Sequence, residues 1–390
     1  MNLRPFRIAV PDADILDLHA RLDRTRWPDE INDAAWGWGT SLPWLRDLVA
    51  YWRTGFDWRA QEARLNALPQ FMATIEGHDI HFVHLRGTGK NPMPLVLTHG
   101  WPGSFVEFEA IAPLLTDPAA HGGDAADAFD LVIPSLPGYG FSGRPTAPGM
   151  GPPAIGRLWA KLMAGLGYTR YGAQGGDWGA AVTTALAQAA PDNVAGIHQN
   201  FIIRLMQPPA DPAAMNAIDH AYLGEVAHWV ANEGAYALIQ GTRPQTLGYG
   251  LTDSPVGLAG WISEKFRAWS DCGGDPYSCF TRDQLLTNIS IYWFTGNITS
   301  SLRIYKERTL AAPQLAPGAR ITVPFGHARF PREIMRPPRD WAARIYDVRH
   351  WTEMPRGGHF AAMEQPALLA QDIQKFFRLV RSGETDVRKS

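Results

Sequence analysis

The sequence predicts an α/β protein with a mostly parallel, doubly wound sheet, a helical insertion and a helical segment at the N-terminus. Between residues 94 and 198, short apolar runs alternate with stretches of helical periodicity. From about 206 to 318 only helical patterns remain, and apolar runs return at 320–325 and 344–349. Strands that alternate with helices form a parallel sheet whose functional site lies at the carboxyl ends of the strands.

These changes of pattern divide the chain into four predicted parts. Residues 1–75 are expected to form an N-terminal helical segment without strands, and residues 76–205 to form the first part of the core. Residues 206–318 are expected to form a helical cap, and residues 319–390 to form the second part of the core. Helical periodicity predicts helices over residues 11–26, 42–54, 213–229, 257–269 and 282–306. A closing helix is predicted over 366–380, and the charged tail after Gly383 is expected to be disordered.

The composition argues against several classes of function. The 390 residues are 45% hydrophobic and 19% charged, with a formal net charge of −2, so neither nucleic acid nor an anionic membrane is expected as the main partner. We find no signal peptide and no run close to the roughly 20 apolar residues of a membrane helix. We therefore expect a cytoplasmic protein without a transmembrane anchor. The 15 Trp residues suit core packing or the walls of an apolar pocket.

Neither the cysteines nor the histidines predict a metal site. Cys272 and Cys279 are more consistent with two free thiols than with a short-loop disulfide. An antiparallel strand pair is predicted around Gly77, over residues 71–75 and 80–85. His78, His81 and His84 follow at a spacing of three, which alternates between the faces of a strand. Three such histidines cannot converge on one ion, so we expect them to be solvated, and we predict no metal and no cofactor.

Two apolar runs end in loops rich in glycine and proline. The predicted strand 94–98 leads into HGWPG, residues 99–103, and a helix is predicted over 105–115. The strand 129–134 leads into a loop that ends at Ser142. We interpret Ser142 as a turn residue, because Arg144 occupies the second glycine position of a serine nucleophile elbow.

The strongest single motif is a sharp turn between a strand at 168–174 and a helix at 180–188. The turn, Gly-Gly-Asp-Trp-Gly over 175–179, matches the G-x-nucleophile-x-G elbow with Asp177 in place of serine. Such a turn strains the backbone of its middle residue and requires small neighbours. The helix N-terminus behind it favours an anion. Asp177 is therefore a candidate nucleophile, although the motif by itself is weak and fits a helix-capping Asp better.

Two later residues complete a candidate triad in the chain order nucleophile, acid, histidine. This order is typical of the α/β-hydrolase fold. His359 lies on a glycine-flanked loop just before the closing helix. Glu333 is the first carboxylate after the strand at 320–325, and Asp340 is the next. We choose Glu333 as the acid.

A carboxylate nucleophile restricts the reaction. Aspartate is ionised at neutral pH, and it can displace a leaving group at saturated carbon to form an alkyl ester. The histidine and its acid can then activate water to hydrolyse that ester. The backbone N–H groups of Trp101 and Trp178 are expected to form an oxyanion hole for this step. Epoxides and alkyl halides are the two substrate classes that fit.

Six motifs together resemble the epoxide hydrolases of the microsomal and juvenile-hormone type, over nearly the whole chain. They are HGWPGS (99–104), LPGYGFS (136–142), GGDWG (175–179), DSPVGL (253–258), RIYKE (303–307) and GGHF (357–360). By position, the resemblance implies Asp177 as nucleophile, Glu333 as charge-relay acid and His359 as base. It implies Tyr305 in the cap as one donor to the epoxide oxygen and, through a looser match, Tyr236 as the other.

The resemblance also carries expectations about partners. It implies a small apolar epoxide and water as substrates and no cofactor, and it is compatible with a homodimer. The N-terminal membrane anchor of that family has no counterpart in the sequence, so membrane attachment is not expected. The loop 271–281, which contains both cysteines, diverges from the family and leaves the substrate range open.

Two alternatives remain at this point. A haloalkane dehalogenase would share the Asp elbow and a following Trp, but that class often has Asn at the position of Trp101. Some of its members place the acid after the strand that follows the elbow, where this chain offers only Asn200. The second alternative is a catalytically silent fold member that binds an apolar ligand. The complete set of Asp, Glu, His and two cap tyrosines argues against it.

Overall fold

One nine-stranded sheet lies at the centre of the part of the chain that the computed structural model describes, residues 1–202, 212–310 and 319–383. Its strands are β1 Asn2–Pro5, β2 Gln70–Ile75, β3 His78–Leu85, β4 Met93–Thr98, β5 Phe129–Pro134, β6 Tyr171–Gly175, β7 Val194–Gln199, β8 Ile321–Arg329 and β9 Tyr346–Glu353. Their order across the sheet is β1-β2-β3-β5-β4-β6-β7-β8-β9. The pairs β1–β2, β2–β3 and β3–β5 are antiparallel. All pairs from β5 across the sheet to β9 are parallel.

Helices cover both the sheet and the site at its edge. Those before β8 are α1 Asp12–Asp23, α2 Leu42–Thr54, α3 Trp58–Leu65, α4 Ala112–Thr116, α5 Pro152–Gly165, α6 Asp177–Ala189, α7 Ala217–Asn232, α8 Ala235–Thr242, α9 Pro244–Asp253, α10 Pro255–Trp269, α11 Arg282–Thr295 and α12 Ile298–Leu310. Those after it are α13 Arg339–Ile345, α14 Ala361–Glu364 and α15 Pro366–Ser382. The fold is thus the predicted α/β class with a mostly parallel sheet.

The N-terminal segment differs from the prediction, which placed no strand before residue 71. β1 pairs antiparallel with β2, from Asn2 opposite Thr74 to Pro5 opposite Phe71. All four residues of β1 are exposed, so this edge strand has no alternating apolar pattern that a sequence could reveal. The helical part of the prediction is confirmed, since α2 buries its apolar face of Leu45, Leu48, Val49 and Trp52.

The predicted solvation of the strand histidines is wrong for His81. Its ring lies fully buried, with Nδ1 2.9 Å from Ser135 Oγ and Nε2 2.9 Å from Gln70 Oε1. Burial lowers the pKa of His81 to about 3. The physical reason is that β3 lies inside the sheet, between β2 and β5, and that the rings of Phe6, Phe105 and Phe141 pack around His81. In the described ranges, no three His, Cys, Asp or Glu side chains are arranged so that they could hold a metal ion.

Two predicted helices are each interrupted. The stretch predicted as one helix over 282–306 is two helices, because α11 ends at Gly296 in the left-handed region with φ of 57°. The stretch predicted over 105–115 is a 3₁₀ turn, Phe105–Phe108, followed by α4 with Pro113 in its first turn. The predicted limits of the cap, 206 and 318, and the tail after Gly383 lie outside the described residues.

Three smaller expectations can be compared directly with the structure. Cys272 and Cys279 are free thiols. Ser142 Oγ donates a hydrogen bond to Ser135 O at 2.7 Å and accepts one from His81 N at 3.0 Å, so it is a turn residue as predicted. Among the helices in the described ranges, none is long and apolar enough to cross a membrane.

Candidate active site

Asp177 occupies the turn between β6 and α6 in a strained backbone conformation. Its φ is 47°, a left-handed value that costs a non-glycine residue of order 1–3 kcal/mol. The turn requires glycine on either side of it, because a Cβ added to Gly175 would overlap the carbonyl of Gly179. A Cβ on Gly179 would likewise overlap the carbonyl of Thr98 on the neighbouring strand. The sharp turn therefore holds the Asp177 carboxylate at the carboxyl end of the sheet.

The carboxylate of Asp177 is buried but has a backbone donor. Its Oδ1 accepts a hydrogen bond from the N–H of Trp101 at 2.8 Å. The N–H of Trp178, the second residue of α6, is among the first four of a helix, which have no acceptor within the helix. The positive end of the helix dipole also favours the ionised carboxylate. The structure thus brings the N–H of Trp101 to the predicted nucleophile, whereas a role for the N–H of Trp178 remains a prediction.

The loop that carries Trp101 is anchored to helix α11. Asn288 Nδ2 donates to Pro102 O at 2.8 Å, and the Tyr292 hydroxyl donates to Gly103 O at 2.7 Å. Ser104 Oγ donates to Asn288 Oδ1 at 2.8 Å. All of these groups are buried, so the position of the Trp101 N–H is determined by contacts with a helix almost 190 residues further along the chain.

His359 lies between two carboxylates. Its Nδ1 is 2.6 Å from Glu333 Oε1, and its Nε2 is 3.4 Å from Asp177 Oδ2. Glu333 lies in the loop after β8 and His359 in the loop after β9, and the two loops meet where Arg332 N donates to Gly357 O at 3.0 Å. The three residues predicted as nucleophile, acid and histidine therefore form one continuous chain of contacts.

The protonation of His359 follows from this arrangement. Burial by itself lowers the pKa of His359, but the charge of Glu333 and the hydrogen bond and charge of Asp177 outweigh it. The pKa of His359 is consequently raised well above 6.5 while Asp177 is a free carboxylate. A protonated imidazole is the form that donates to carboxylates on both sides.

Glu333 is the carboxylate that reaches His359. The alternative carboxylate Asp340 lies in the first turn of α13, and Asp347 accepts hydrogen bonds from Arg349 at the surface. Glu333 Oε1 also accepts from the N–H of Ile334 at 2.7 Å. Two donors thus fix the orientation of this oxygen.

Two cap tyrosines lie above Asp177, embedded among tryptophans. Tyr236 on α8 stacks on Trp101 with ring centroids 5.5 Å apart, and Tyr305 on α12 contacts Trp178 edge-on at 4.7 Å. The two tyrosine rings are themselves 5.8 Å apart. The buried hydroxyl of Tyr305 has no hydrogen-bond partner in the described part of the chain. Burial, with a further contribution from the charge of Asp177, raises the pKa of both hydroxyls, which therefore remain protonated.

Sequence reasoning missed two residues of the site. Trp269 is the last residue of α10, and its carbonyl oxygen accepts a hydrogen bond from the backbone N–H of His359 at 2.9 Å. The centroid of its ring lies 5.1 Å from that of the His359 imidazole. Glu107 lies in the 3₁₀ turn beside the loop of Trp101 and lines a small cavity at Asp177. The only signal for Glu107 is a carboxylate inside the apolar run Phe-Val-Glu-Phe. Trp269 gives no sequence signal, since the cap contains several tryptophans.

A strained aspartate elbow, an adjacent His–Glu pair and a backbone donor on a parallel sheet define a hydrolase of the α/β-hydrolase fold. Residues 3–108 match the family model described as "Epoxide hydrolase N terminus", and residues 93–232 match "alpha/beta hydrolase fold". Epoxide hydrolase 1 of Oryctolagus cuniculus is 40% identical over 407 residues, which cover 97% of this chain and 89% of that protein.

Two solved structures are similar over almost their full length. The juvenile hormone epoxide hydrolase of the silkworm Bombyx mori superposes with a TM-score of 0.87 at 30% identity, covering 98% of this chain and 95% of that chain. The epoxide hydrolase of Aspergillus niger superposes with a TM-score of 0.85 at 32% identity, covering 97% of each chain. The chain belongs to the epoxide hydrolase family.

These comparisons confirm the predicted fold class and family resemblance, and they do not favour the haloalkane dehalogenase alternative. The limits of the four predicted parts, the cytoplasmic location and a homodimer remain predictions.

Proposed function

We propose that this protein hydrolyses small apolar epoxides to vicinal diols through a covalent ester on Asp177. The observation that carries the proposal is the position of the Asp177 carboxylate, between the His359–Glu333 pair and two buried tyrosines. The aromatic rings of Trp101, Trp178 and Trp269 support an apolar substrate, because they surround the tyrosines with flat, weakly polar surface.

In the first step, Oδ2 of Asp177 attacks an epoxide carbon, since Oδ1 is held by the N–H of Trp101. A carbon–oxygen bond forms to Asp177 as the ring carbon–oxygen bond breaks. The epoxide oxygen leaves as an alkoxide, which is a strong base and requires a proton. Tyr236 and Tyr305 are suited to provide it, because their hydroxyls are protonated and that of Tyr305 has no other partner within the described residues.

In the second step, His359 takes a proton from a water molecule whose oxygen attacks the ester carbon, Cγ of Asp177. The resulting oxyanion forms at Oδ1, where the N–H groups of Trp101 and Trp178 stabilise it. Collapse of this intermediate breaks the ester bond and releases the diol, which takes the proton back from His359. Asp177 is regenerated with one oxygen from water. The proton that its new carboxyl group releases balances, through solvent, the proton that the tyrosine donated in the first step.

Ester formation itself prepares His359 for its role as a base. In the free enzyme, the charges of both Asp177 and Glu333 raise the pKa of His359. The ester of Asp177 is neutral, so one of these two charges disappears and the pKa of His359 falls. The imidazole can then lose a proton and accept another from water. Glu333 keeps the ring oriented and stabilises the imidazolium that forms.

A single-turnover experiment in ¹⁸O-labelled water tests the covalent route. Excess enzyme is mixed with styrene oxide, and the diol and the peptide that contains Asp177 are analysed by mass spectrometry. We expect the label in the Asp177 carboxylate and an unlabelled diol after one turnover. Asp177→Ala should form no diol, whereas the control Asp192→Ala, at an exposed position after α6, should be unaffected. Label that passes directly into the diol while Asp177 stays unlabelled would refute the proposal.

A further inference from the structure

A small cavity lies next to Asp177 and His359. Its volume is about 20 Å³, and its lining includes Asp177, His359, Glu107, Asn200, Gly100 and Phe108. That volume holds about one water molecule, provided that polar groups line it. Among the described residues, neither Tyr236 nor Tyr305 belongs to the lining, so the cavity is separate from the tyrosine side of Asp177.

The lining contains a carboxyl group to which the mechanism above gives no role. Glu107 lies in the 3₁₀ turn Phe105–Phe108, between two buried phenylalanines. Its carboxyl group packs directly on the Cα of Gly103, where an added Cβ would overlap Oε1. Glu107 is partly buried, and an acid withdrawn from water destabilises the fold unless hydrogen bonds compensate the lost solvation. Backbone groups of Gly100 and Ser104 provide part of this compensation.

The electrostatics of this position favour the neutral form of the acid. Burial is the largest influence on the pKa of Glu107 and raises it. The positive charge of His359 lowers the pKa, the charge of Asp177 raises it, and the resulting value is about 8. Near neutral pH, Glu107 therefore adds hydrogen-bonding capacity to the cavity without adding a third negative charge beside Asp177 and Glu333.

We propose that Glu107 positions the water molecule that hydrolyses the Asp177 ester. A water in the cavity can donate one hydrogen to His359 Nε2 and the other to a carboxyl oxygen of Glu107, which directs its lone pair at Cγ of Asp177. His359 takes the first proton as the new carbon–oxygen bond forms. The second hydrogen stays on the oxygen that becomes part of the carboxyl group, and it leaves to solvent when Asp177 ionises again.

This inference rests on the proposed function, since it assigns a residue to the second step of that reaction. The proposed epoxide site and the proposed water site do not coincide. Tyr236 and Tyr305, which are proposed to contact the epoxide oxygen, do not line the cavity that contains Glu107. Water can therefore remain in place during alkylation and react as soon as His359 is deprotonated.

The test separates the two steps of a single turnover with styrene oxide. Rapid quenching and intact-protein mass measure both the formation and the decay of the alkyl adduct. The variants are Glu107→Leu and Glu107→Met, which keep the volume but remove hydrogen bonding, and Glu107→Gln, which keeps an acceptor oxygen. Glu109→Gln is the matched control, since Glu109 lies two residues further along and pairs with Arg64 at the surface.

We expect alkylation at close to the wild-type rate in all variants. Decay of the adduct should slow roughly 10- to 100-fold in Glu107→Leu and Glu107→Met, the range for loss of a hydrogen bond that orients a reacting group. Glu107→Gln should restore most of the rate, and Glu109→Gln should match the wild type. Thermal unfolding of each variant establishes that it is folded.

Two results would overturn the role of Glu107: decay at the wild-type rate in both apolar variants, or equal slowing of alkylation and decay. Absence of any adduct in the wild-type protein would instead contradict the proposed covalent function, so the two failures are distinguishable.

Discussion

Replacement of Glu333 by Gln removes one negative charge beside His359 and leaves the shape of the side chain nearly unchanged. The carboxylate oxygen that contacts His359 Nδ1 at 2.6 Å also accepts the N–H of Ile334 at 2.7 Å. A Gln oxygen can occupy the same place. Its amide group would then replace Oε2, which is buried and has no partner in the described residues, so two new donors would lie unpaired.

The expected loss can be worked from these contacts. A hydrogen bond to a charged group contributes about 1.5–3 kcal/mol, and a neutral one about 1 kcal/mol. The imidazolium formed in the second step therefore loses about 0.5–2 kcal/mol of stabilisation, which corresponds to a roughly 2- to 30-fold slower hydrolysis of the ester. Alkylation should change little, because His359 takes no proton in that step.

The assay is again a single turnover followed by rapid quenching, with formation and decay of the adduct measured separately. His359→Gln is the reference for complete loss of the base, and it should trap the adduct. Asp347→Asn is the control for removal of a carboxylate on the neighbouring strand β9, since Asp347 pairs with Arg349. The pKa of His359, obtained from the pH dependence of adduct decay, should be lower in Glu333→Gln than in the wild type. The reason is that the negative charge of Glu333, which raises this pKa, is absent from the variant.

Hydrolysis of the adduct at the wild-type rate in Glu333→Gln would contradict the role of Glu333 as the acid. This role is equally contradicted if Asp347→Asn or Asp340→Asn traps the adduct instead, since the acid would then be one of those residues.

Two further predictions concern the cap and the pH dependence of stability. Single replacement of Tyr236 or Tyr305 by Phe should slow alkylation roughly 10- to 100-fold. The double variant should lose nearly all epoxide opening, while decay of the adduct stays unchanged. Ring opening at close to the wild-type rate in the folded double variant would remove the tyrosines from the mechanism. The folded-state pKa of His81 is lowered to about 3, so the unfolded chain binds the extra proton and stability is lost as pH falls below about 6.5. The free energy of unfolding is measured with urea between pH 6.5 and 5. It should fall with decreasing pH less steeply in His81→Gln than in the wild type, by about 1 kcal/mol per pH unit. Identical slopes in the two proteins would contradict the prediction.

Local sequence patterns were sufficient for the parts of the fold that depend on neighbouring residues. The alternation of apolar runs and helices predicts the parallel strands β4 to β7, because a strand covered on both faces is buried along most of its length. The elbow at Asp177 was also predictable from the local sequence. The glycines at 175 and 179 are needed for steric reasons within a few residues of Asp177, and the packing against Thr98 bears this out.

Features without a local pattern escaped prediction. The strand β1 is short, exposed and paired only at the sheet edge, so nothing in its four residues distinguishes it from a loop. His81 was expected in solvent because its spacing suggests a strand, but the spacing does not reveal that the rings of Phe6, Phe105 and Phe141 pack around it.

By itself the sequence determined the chemical groups of the candidate site and their order along the chain: an aspartate on an elbow, then a carboxylate and a histidine on late loops. The tertiary structure alone decided that His359 meets both Glu333 and Asp177, and that Glu107 lines a cavity beside them. The physical reason is distance along the chain. Contacts between residues separated by 26 to 184 positions depend on how strands and loops pack, and no local periodicity records that packing.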